Sequence, residues 1–143
     1  MQRRILALGF LFLTTDCATP PAVRQAHFDV DWIRSTLIEE NLGYRHAERT
    51  ATAVENGRVY QGNGIDSFSA YSRGGRLLWR FPVAHGLESG IVVSGNLVYF
   101  GASDGFFYAL NKDTGRVNWK FPTRTENLAA PLVDQGVVYF MAG

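Results

Sequence analysis

Apolar and polar residues alternate along the stretch from Val98 to Trp119, the clearest hydrophobic pattern in the chain. Such alternation puts every second side chain on one face and predicts half-buried β-strands. Asp104 and Gly105 interrupt the pattern, and because an Asp-Gly pair adopts positive φ angles readily, they predict a hairpin closed by a two-residue turn. A second turn, from Asn111 to Gly115, leads into the strand that contains Trp119. The stretch therefore predicts three antiparallel strands in succession.

The same pattern recurs with a period close to 40 residues. Val-Tyr pairs follow one another at intervals of 39 and 40 positions, and two tryptophans lie 40 positions apart. The matching positions are Val59, Val98 and Val138, Trp79 and Trp119, Ala70 and Ala109, and Gly75 and Gly115. A period near 40 with about four short strands per period is typical of β-propeller blades, whereas a generic sandwich does not require such anchors to recur. We therefore predict an all-β fold, a partial β-propeller of four-stranded antiparallel blades.

A shorter segment before the repeats, Phe28 to Trp32, alternates apolar and acidic residues and predicts another strand. Trp32 takes the place in it that Trp79 and Trp119 hold in the two full repeats. We expect this strand to complete the last sheet of a closed ring, which leaves no exposed edge. The repeats are thus predicted over residues 28–143. Since closed propellers have about four to eight blades, we expect the chain to be the N-terminal part of a longer protein.

The N-terminus predicts export. Two arginines precede the apolar run Ile5 to Leu13, which is too short to span a bilayer and is typical of a secretory signal over residues 1–17. The only cysteine of the chain, Cys17, lies where such a signal would be cut. We interpret Cys17 as a candidate lipid anchor followed by a tether, residues 18–27. The alternative is a simple cleaved signal with an incidental cysteine, because Asp16 directly before Cys17 departs from the usual lipoprotein pattern.

Composition and motifs exclude several functions. The formal net charge of +1 over 143 residues gives no basic bias of the kind that nucleic-acid binding needs. The sequence has no phosphate-binding loop, metal motif or nucleophile elbow. When the repeats are aligned, polar residues recur at one loop position, which is occupied by His46, His85 and Thr125. The histidines are weak candidates for a metal or anion site, because no carboxylate recurs beside both of them.

The segment Ala109 to Trp119 carries a family resemblance. Its sequence, ALNKDTGRVNW, resembles the tryptophan-docking repeat A-x-[DN]-x-x-T-G-x-x-x-W of the pyrroloquinoline quinone (PQQ)-like propellers, and Ala70 to Trp79 is similar but one residue shorter. That family includes quinoprotein dehydrogenases, sensor domains and the outer-membrane protein assembly factor BamB. In it the tryptophan, alanine and glycine positions pack blades together: Trp32, Trp79, Trp119, Ala70, Ala109, Gly75 and Gly115.

The resemblance leaves three functions open. A BamB-like, noncatalytic envelope scaffold that assists outer-membrane protein assembly agrees best with an export signal and a candidate anchor. Its partners would be envelope proteins, and it would need no cofactor. The alternatives are part of a PQQ-dependent dehydrogenase, which would need PQQ and calcium, and an envelope sensor or ligand-binding propeller. We expect an exported protein, held at the periplasmic face of the outer membrane if Cys17 is lipidated and otherwise periplasmic.

Overall fold

The computed structural model describes residues 29–36, 49–127 and 129–142, and all regular elements within these ranges are β-strands. Four consecutive strands form a first antiparallel sheet, four more form a second, and two form a hairpin. The strands are β1 (Ala53–Glu55), β2 (Arg58–Gly62), β3 (Ser67–Ser72), β4 (Leu77–Pro82), β5 (Ile91–Ser94), β6 (Leu97–Gly101), β7 (Phe106–Asn111), β8 (Val117–Pro122), β9 (Leu132–Asp134) and β10 (Val137–Tyr139). We call β1–β4 blade 1 and β5–β8 blade 2.

Two-residue turns close the first hairpin of each repeat. In Asn56-Gly57 the φ angles are 49° and 73°, and in Gln135-Gly136 they are 45° and 82°. Positive φ at both residues defines a type I′ turn, whose twist matches that of the flanking strands. In Gly95-Asn96 only the glycine has positive φ, 59°. The turn residues therefore fix the register of each pair.

The turn predicted at Asp104 and Gly105 is wrong in its length. The hairpin exists, but β6 ends at Gly101 and β7 begins at Phe106, so four residues connect the strands. Of these, Gly105 alone has positive φ, 82°. Asp104 uses its side chain instead, because its Oδ1 accepts the Phe106 amide at 3.1 Å. The carboxylate thus stabilises a longer loop that backbone propensity alone does not predict.

The outer halves of the two blades are built alike. The β3–β4 and β7–β8 ladders each contain one register shift, between Ala70 and Tyr71 and between Ala109 and Leu110. Such a bulge increases the local twist of a strand pair. Because the irregularity recurs at equivalent alanines, the repeat that the sequence indicates extends to this detail of the backbone.

Aromatic side chains fill the space between the sheets. Phe68 of blade 1 contacts Phe100 of blade 2 with ring centroids 4.4 Å apart, and both rings are fully buried. On the other face of blade 2, Phe107 stacks on Phe140 at 4.1 Å. Ala70 and Ala109, both 0% exposed, lie in the first and second of these cores. Phe68, Phe100 and Phe107 thus serve as core.

The strand predicted at Phe28 to Trp32 is not observed in its described part. Residues 29–36 belong to no sheet, since no strand in the described parts of the chain pairs with them. They lie against blade 1: Trp32 packs on Tyr71 with centroids 5.9 Å apart, and the Thr36 carbonyl accepts Asn63 Nδ2 at 2.8 Å. The apolar position Trp32 of the alternating pattern does pack against the protein, but a β-ladder also requires a neighbouring strand to pair with.

Several predicted features lie outside the described residues. They are the export signal 1–17, the tether 18–27, the candidate anchor Cys17, His46 and Phe28. Within the part of the chain that the structure describes, no helix has the length and apolar character needed to cross a membrane.

Candidate functional site

Two tryptophans dock onto glycine turns in the same way. The Trp79 indole Nε1 donates to the Lys112 carbonyl at 3.0 Å, and a Cβ on Gly115 would lie 2.6 Å from the Trp79 ring. Trp32 repeats this on blade 1, where Nε1 donates to the Arg73 carbonyl at 2.8 Å and a Cβ on Gly75 would lie 2.7 Å from the ring. Gly115 has φ of +69° and Gly75 has φ of +76°. A side chain at either turn would meet both backbone strain and an aromatic ring.

Trp119 lies at the outer face of blade 2. It stacks on Phe107 with centroids 6.0 Å apart and is 36% exposed. Its strand, β8, is exposed along its whole length, including Val117 and Phe121. The described residues therefore leave an apolar sheet face there that resembles the face by which β4 contacts blade 2.

Ion pairs join the blades at the end where these glycine turns lie. Lys112 Nζ contacts Glu55 Oε2 at 2.6 Å, with side chains 15% and 31% exposed. Beside this pair, the Arg58 guanidinium contacts the Asp113 carboxylate, and this hydrogen bond raises the pKa of Arg58. Both pairs link β1 or β2 of blade 1 to the β7–β8 turn of blade 2. The charged residues at this end are thus used to hold neighbouring blades in register.

Loops 63–66, 83–90, 102–105 and 123–127 gather at the opposite end of the sheets, and we call this surface the loop face. Asn63, fully buried, organises its first part. The Asn63 Oδ1 accepts the amides of Ile65, Asp66 and Ser67 at 3.0, 2.8 and 3.2 Å. Its own carbonyl accepts the Leu87 amide at 2.8 Å, which ties two of the loops together.

Asp104 and Tyr108 form the corresponding polar pair in blade 2. The Tyr108 hydroxyl donates to Asp104 Oδ2 at 2.6 Å, and Tyr108 is only 5% exposed. Burial and the adjacent carboxylate raise the pKa of Tyr108 well above its ordinary value of 10.0. The hydroxyl is therefore a hydrogen-bond donor at neutral pH, and it holds Asp104 against the start of β7.

A buried asparagine distinguishes the second repeat from the first. Asn127 approaches Gly101 so closely that a Cβ on Gly101 would lie 2.2 Å from the Asn127 Cβ, as Leu87 approaches Gly62 in blade 1. A loop residue thus covers each of these two glycines. Asn127 Nδ2 donates to the Thr123 hydroxyl at 2.8 Å, whereas its buried Oδ1 has no hydrogen-bond partner among the described residues. The position that holds the apolar Leu87 in the first repeat thus holds the polar Asn127 in the second.

The candidate histidine pair is not assembled by the described residues. His85 is exposed on the loop face with φ of 61°, and the equivalent Thr125 lies on the neighbouring loop. His46 falls outside the described ranges. Within residues 29–36, 49–127 and 129–142, no three His, Cys, Asp or Glu side chains are grouped to hold a metal ion.

Asn63 is the organising residue that sequence reasoning missed. Its signal is the pair Asn63-Gly64 directly after a strand, where an asparagine can accept backbone amides two and three residues ahead. The repeat comparison hides this signal, because the corresponding loop of blade 2 uses Asp104 at a different position. On the loop face, described polar side chains such as Asn63 and Asp104 bond to backbone amides of their own loops and so hold these loops in place.

The chain resembles two groups of known proteins. Residues 61–143 match the family model described as outer membrane protein assembly factor BamB. The chain is 31% identical over 117 residues to BamB of Alteromonas naphthalenivorans, covering 74% of this chain and 26% of that protein. It is 30% identical over 107 residues to the quinoprotein alcohol dehydrogenase PedH of Pseudomonas putida, covering 64% of this chain and 18% of that protein.

Similar solved structures include a BamB protein and a quinohemoprotein alcohol dehydrogenase. BamB from Moraxella catarrhalis superimposes with a TM-score of 0.57 at 18% identity, covering 64% of this chain and 30% of that one. The quinohemoprotein alcohol dehydrogenase ADHIIG from Pseudomonas putida HK5 gives 0.52 at 24% identity, covering 66% and 17%. These likenesses confirm the predicted β-propeller fold. The chain spans only a minor part of each relative that it matches.

Proposed function

The chain belongs to the family of PQQ-like repeat proteins described as outer membrane protein assembly factor BamB, and from this premise we propose that it is a noncatalytic interaction propeller of the cell envelope. In this proposal it assists outer-membrane protein assembly by binding other envelope proteins, and it uses no cofactor. The match to the BamB family model over residues 61–143 is the observation that carries the proposal.

The use of the polar side chains supports this function. At one end of the blades the charged residues pair across the blade interface, as Lys112 does with Glu55. On the loop face, Asn63 and Asp104 bind backbone amides that follow them in the chain. A cofactor site instead needs several polar groups that converge on a concave pocket. Residues committed to scaffold bonds favour a protein that presents a rigid surface.

Export and anchoring complete the proposal. The signal-like residues 1–17 would direct the chain out of the cytoplasm, and lipidation of Cys17 would hold it at the periplasmic face of the outer membrane. A membrane anchor raises the local concentration of the propeller near other envelope proteins, which favours weak, broad protein contacts. Cleavage without lipidation would leave a periplasmic protein with the same partners.

The runner-up function is part of a PQQ-dependent dehydrogenase. The observation in its favour is the similarity to PedH, which at 30% identity nearly equals the similarity to BamB. In that case residues outside those described here would supply the quinone and calcium ligands. PQQ would act as the electron acceptor of the oxidation, and the described blades would serve as its scaffold.

One experiment separates the two functions. Crosslinking of the tagged protein in intact envelopes should capture outer-membrane assembly proteins, and incubation with PQQ and calcium should give neither saturable binding nor dye reduction with alcohols. A control with Cys17→Ala shows whether capture depends on the anchor or on the propeller itself. Stoichiometric PQQ binding with dye reduction would overturn the proposal in favour of the dehydrogenase.

A further inference from the structure

The outer strand of blade 2, β8, has one edge to which no described strand is bonded. Within the described ranges only β7 pairs with it, and every residue of β8 is exposed. The Thr123 amide, directly after β8, donates to the Gly105 carbonyl at 2.9 Å. Since amides along a strand point alternately to its two sides, the Lys120 amide points away from β7, while Pro122 has no amide. β8 therefore offers a short hydrogen-bonding edge centred on Lys120.

Three cationic side chains follow this edge. Arg116, Lys120 and Arg124 occur at intervals of four residues, which is about 13 Å along an extended strand. All three are exposed, and none takes part in an ion pair with another described residue. The sequence from 114 to 125 contains no aspartate or glutamate. Clustered like charges that repel one another are stabilised by an anionic partner.

Three acids lie near the ends of β8. Asp113 is paired across the blade interface, and Asp104 accepts a tyrosine hydroxyl. Glu126 lines a groove on the loop face together with Arg124. These acids flank the two ends of the strand, so the middle of β8, at Lys120, keeps its positive charge.

Two of the cations are positioned by other contacts. Lys120 Nζ lies 4.1 Å from the centroid of the Phe106 ring, which orients the ammonium without neutralising it. Arg124 has φ of 63°, and its amide and that of Thr123 both donate to the Gly105 carbonyl, at 3.1 and 2.9 Å. A left-handed backbone at a residue other than glycine persists where the surrounding bonds hold it. Both residues are therefore placed beside the edge before a partner arrives, which lowers the entropic cost of binding.

We propose that β8 accepts an extended acidic segment of a protein partner as a fifth strand of blade 2. The proposal rests on the proposed function as an interaction propeller and specifies the chemistry of one partner surface. Backbone hydrogen bonds at Lys120 hold the segment, and its carboxylates pair with Arg116, Lys120 and Arg124. Two copies of β8 would instead bring like charges together, which disfavours pairing between copies of this chain. The edge therefore selects an acidic strand over a second copy.

Fluorescence anisotropy of the full chain with a fluorescein-labelled peptide of alternating glutamate and valine tests this proposal. Lys120→Gln should weaken binding about threefold to fivefold, because it removes the central charge beside the added strand. Arg73→Gln is the matched control: it removes one exposed arginine from the β3–β4 turn of blade 1 and should leave the affinity nearly unchanged. N-methylation of all peptide amides keeps the carboxylates but removes the hydrogen-bond donors, and should weaken binding by about tenfold.

The other outcomes are equally specific. Equal losses for Lys120→Gln and Arg73→Gln would show a general charge effect and overturn pairing at β8, and unchanged binding of the N-methylated peptide would overturn strand addition. Binding to phosphatidylglycerol vesicles, without binding of the acidic peptide, would replace the protein partner with a lipid surface. If Lys120→Glu crosslinks in envelopes as the unaltered protein does, the β8 proposal fails while the proposed function stands. Failure of the unaltered protein to capture assembly proteins would count against the function itself.

Discussion

Gly115→Ala tests the docking of Trp79 that joins the two blades. Two effects add at this position: alanine must adopt φ of +69°, and its Cβ would lie 2.6 Å from the Trp79 ring. The left-handed conformation costs about 1–2 kcal/mol, and forcing extra volume into a packed contact costs about 1–3 kcal/mol. The ring cannot easily move aside, because Nε1 is bonded to the Lys112 carbonyl. We expect the free energy of unfolding to fall by about 2–5 kcal/mol.

Two further glycines separate these effects. Gly95 has φ of +59°, and no atom of the described residues lies within 4 Å of its Cβ position, so Gly95→Ala measures the backbone strain alone. Gly74 has no positive φ, and its Cβ position meets none of the described atoms within 4 Å, so Gly74→Ala should be neutral or stabilising by about 0.5 kcal/mol. Urea unfolding followed by tryptophan fluorescence gives all three values. If Gly115→Ala costs no more than Gly95→Ala, the close approach of Trp79 is not an energetic contact and the reasoning is wrong.

Three further predictions concern the polar contacts and the anchor. Tyr108→Phe should lower the free energy of unfolding by about 1.5 kcal/mol at neutral pH. Since burial raises the pKa of Tyr108, its contribution to stability is complete below pH 10.0 and falls as the pH rises. In urea unfolding at several pH values, the stability of the variant should therefore decrease less steeply at alkaline pH. Lys112→Met removes a partly exposed pair with Glu55 and should lower the unfolding free energy by about 0.5–1 kcal/mol in low salt, a loss that 1 M NaCl should largely abolish; an equal loss in high salt would contradict an ionic contribution. Cys17→Ala should move the mature protein from detergent-extracted membranes to the soluble periplasmic fraction on immunoblots, and unchanged partitioning would refute lipidation.

The recurring residues made the fold predictable. The 40-residue period depends on side chains whose role is packing between blades, and such a role constrains every repeat alike. Trp79 and Gly115 illustrate this, because neither can change without disturbing the other. The same periodicity gave Trp32 the place of Trp79 and Trp119, and in the structure Trp32 lies on the Gly75 turn.

Local details were less predictable where a side chain replaces a backbone preference. The loop at Asp104 is longer than an Asp-Gly turn requires, because its carboxylate binds both the Phe106 amide and the Tyr108 hydroxyl. A tyrosine four positions away in the next strand decides that outcome. Residues 29–36 failed as a strand for another physical reason, since pairing depends on a neighbour that the local pattern does not contain.

The positions that drift between repeats are the ones that can carry function. Gln61 of blade 1 replaces Phe100 of blade 2, and Ser69 replaces Tyr108, so the face of blade 1 beneath residues 29–36 is polar where its counterpart is aromatic. Arg80 reaches across that face to Ser69, and Arg34 reaches the Gly75 carbonyl from the other side. Low identity with maintained packing explains why both assembly factors and dehydrogenases match the chain. Substitutions at the positions that differ between repeats should therefore change binding without unfolding the blades. Substitutions at the recurring positions should instead lower the stability of the blades.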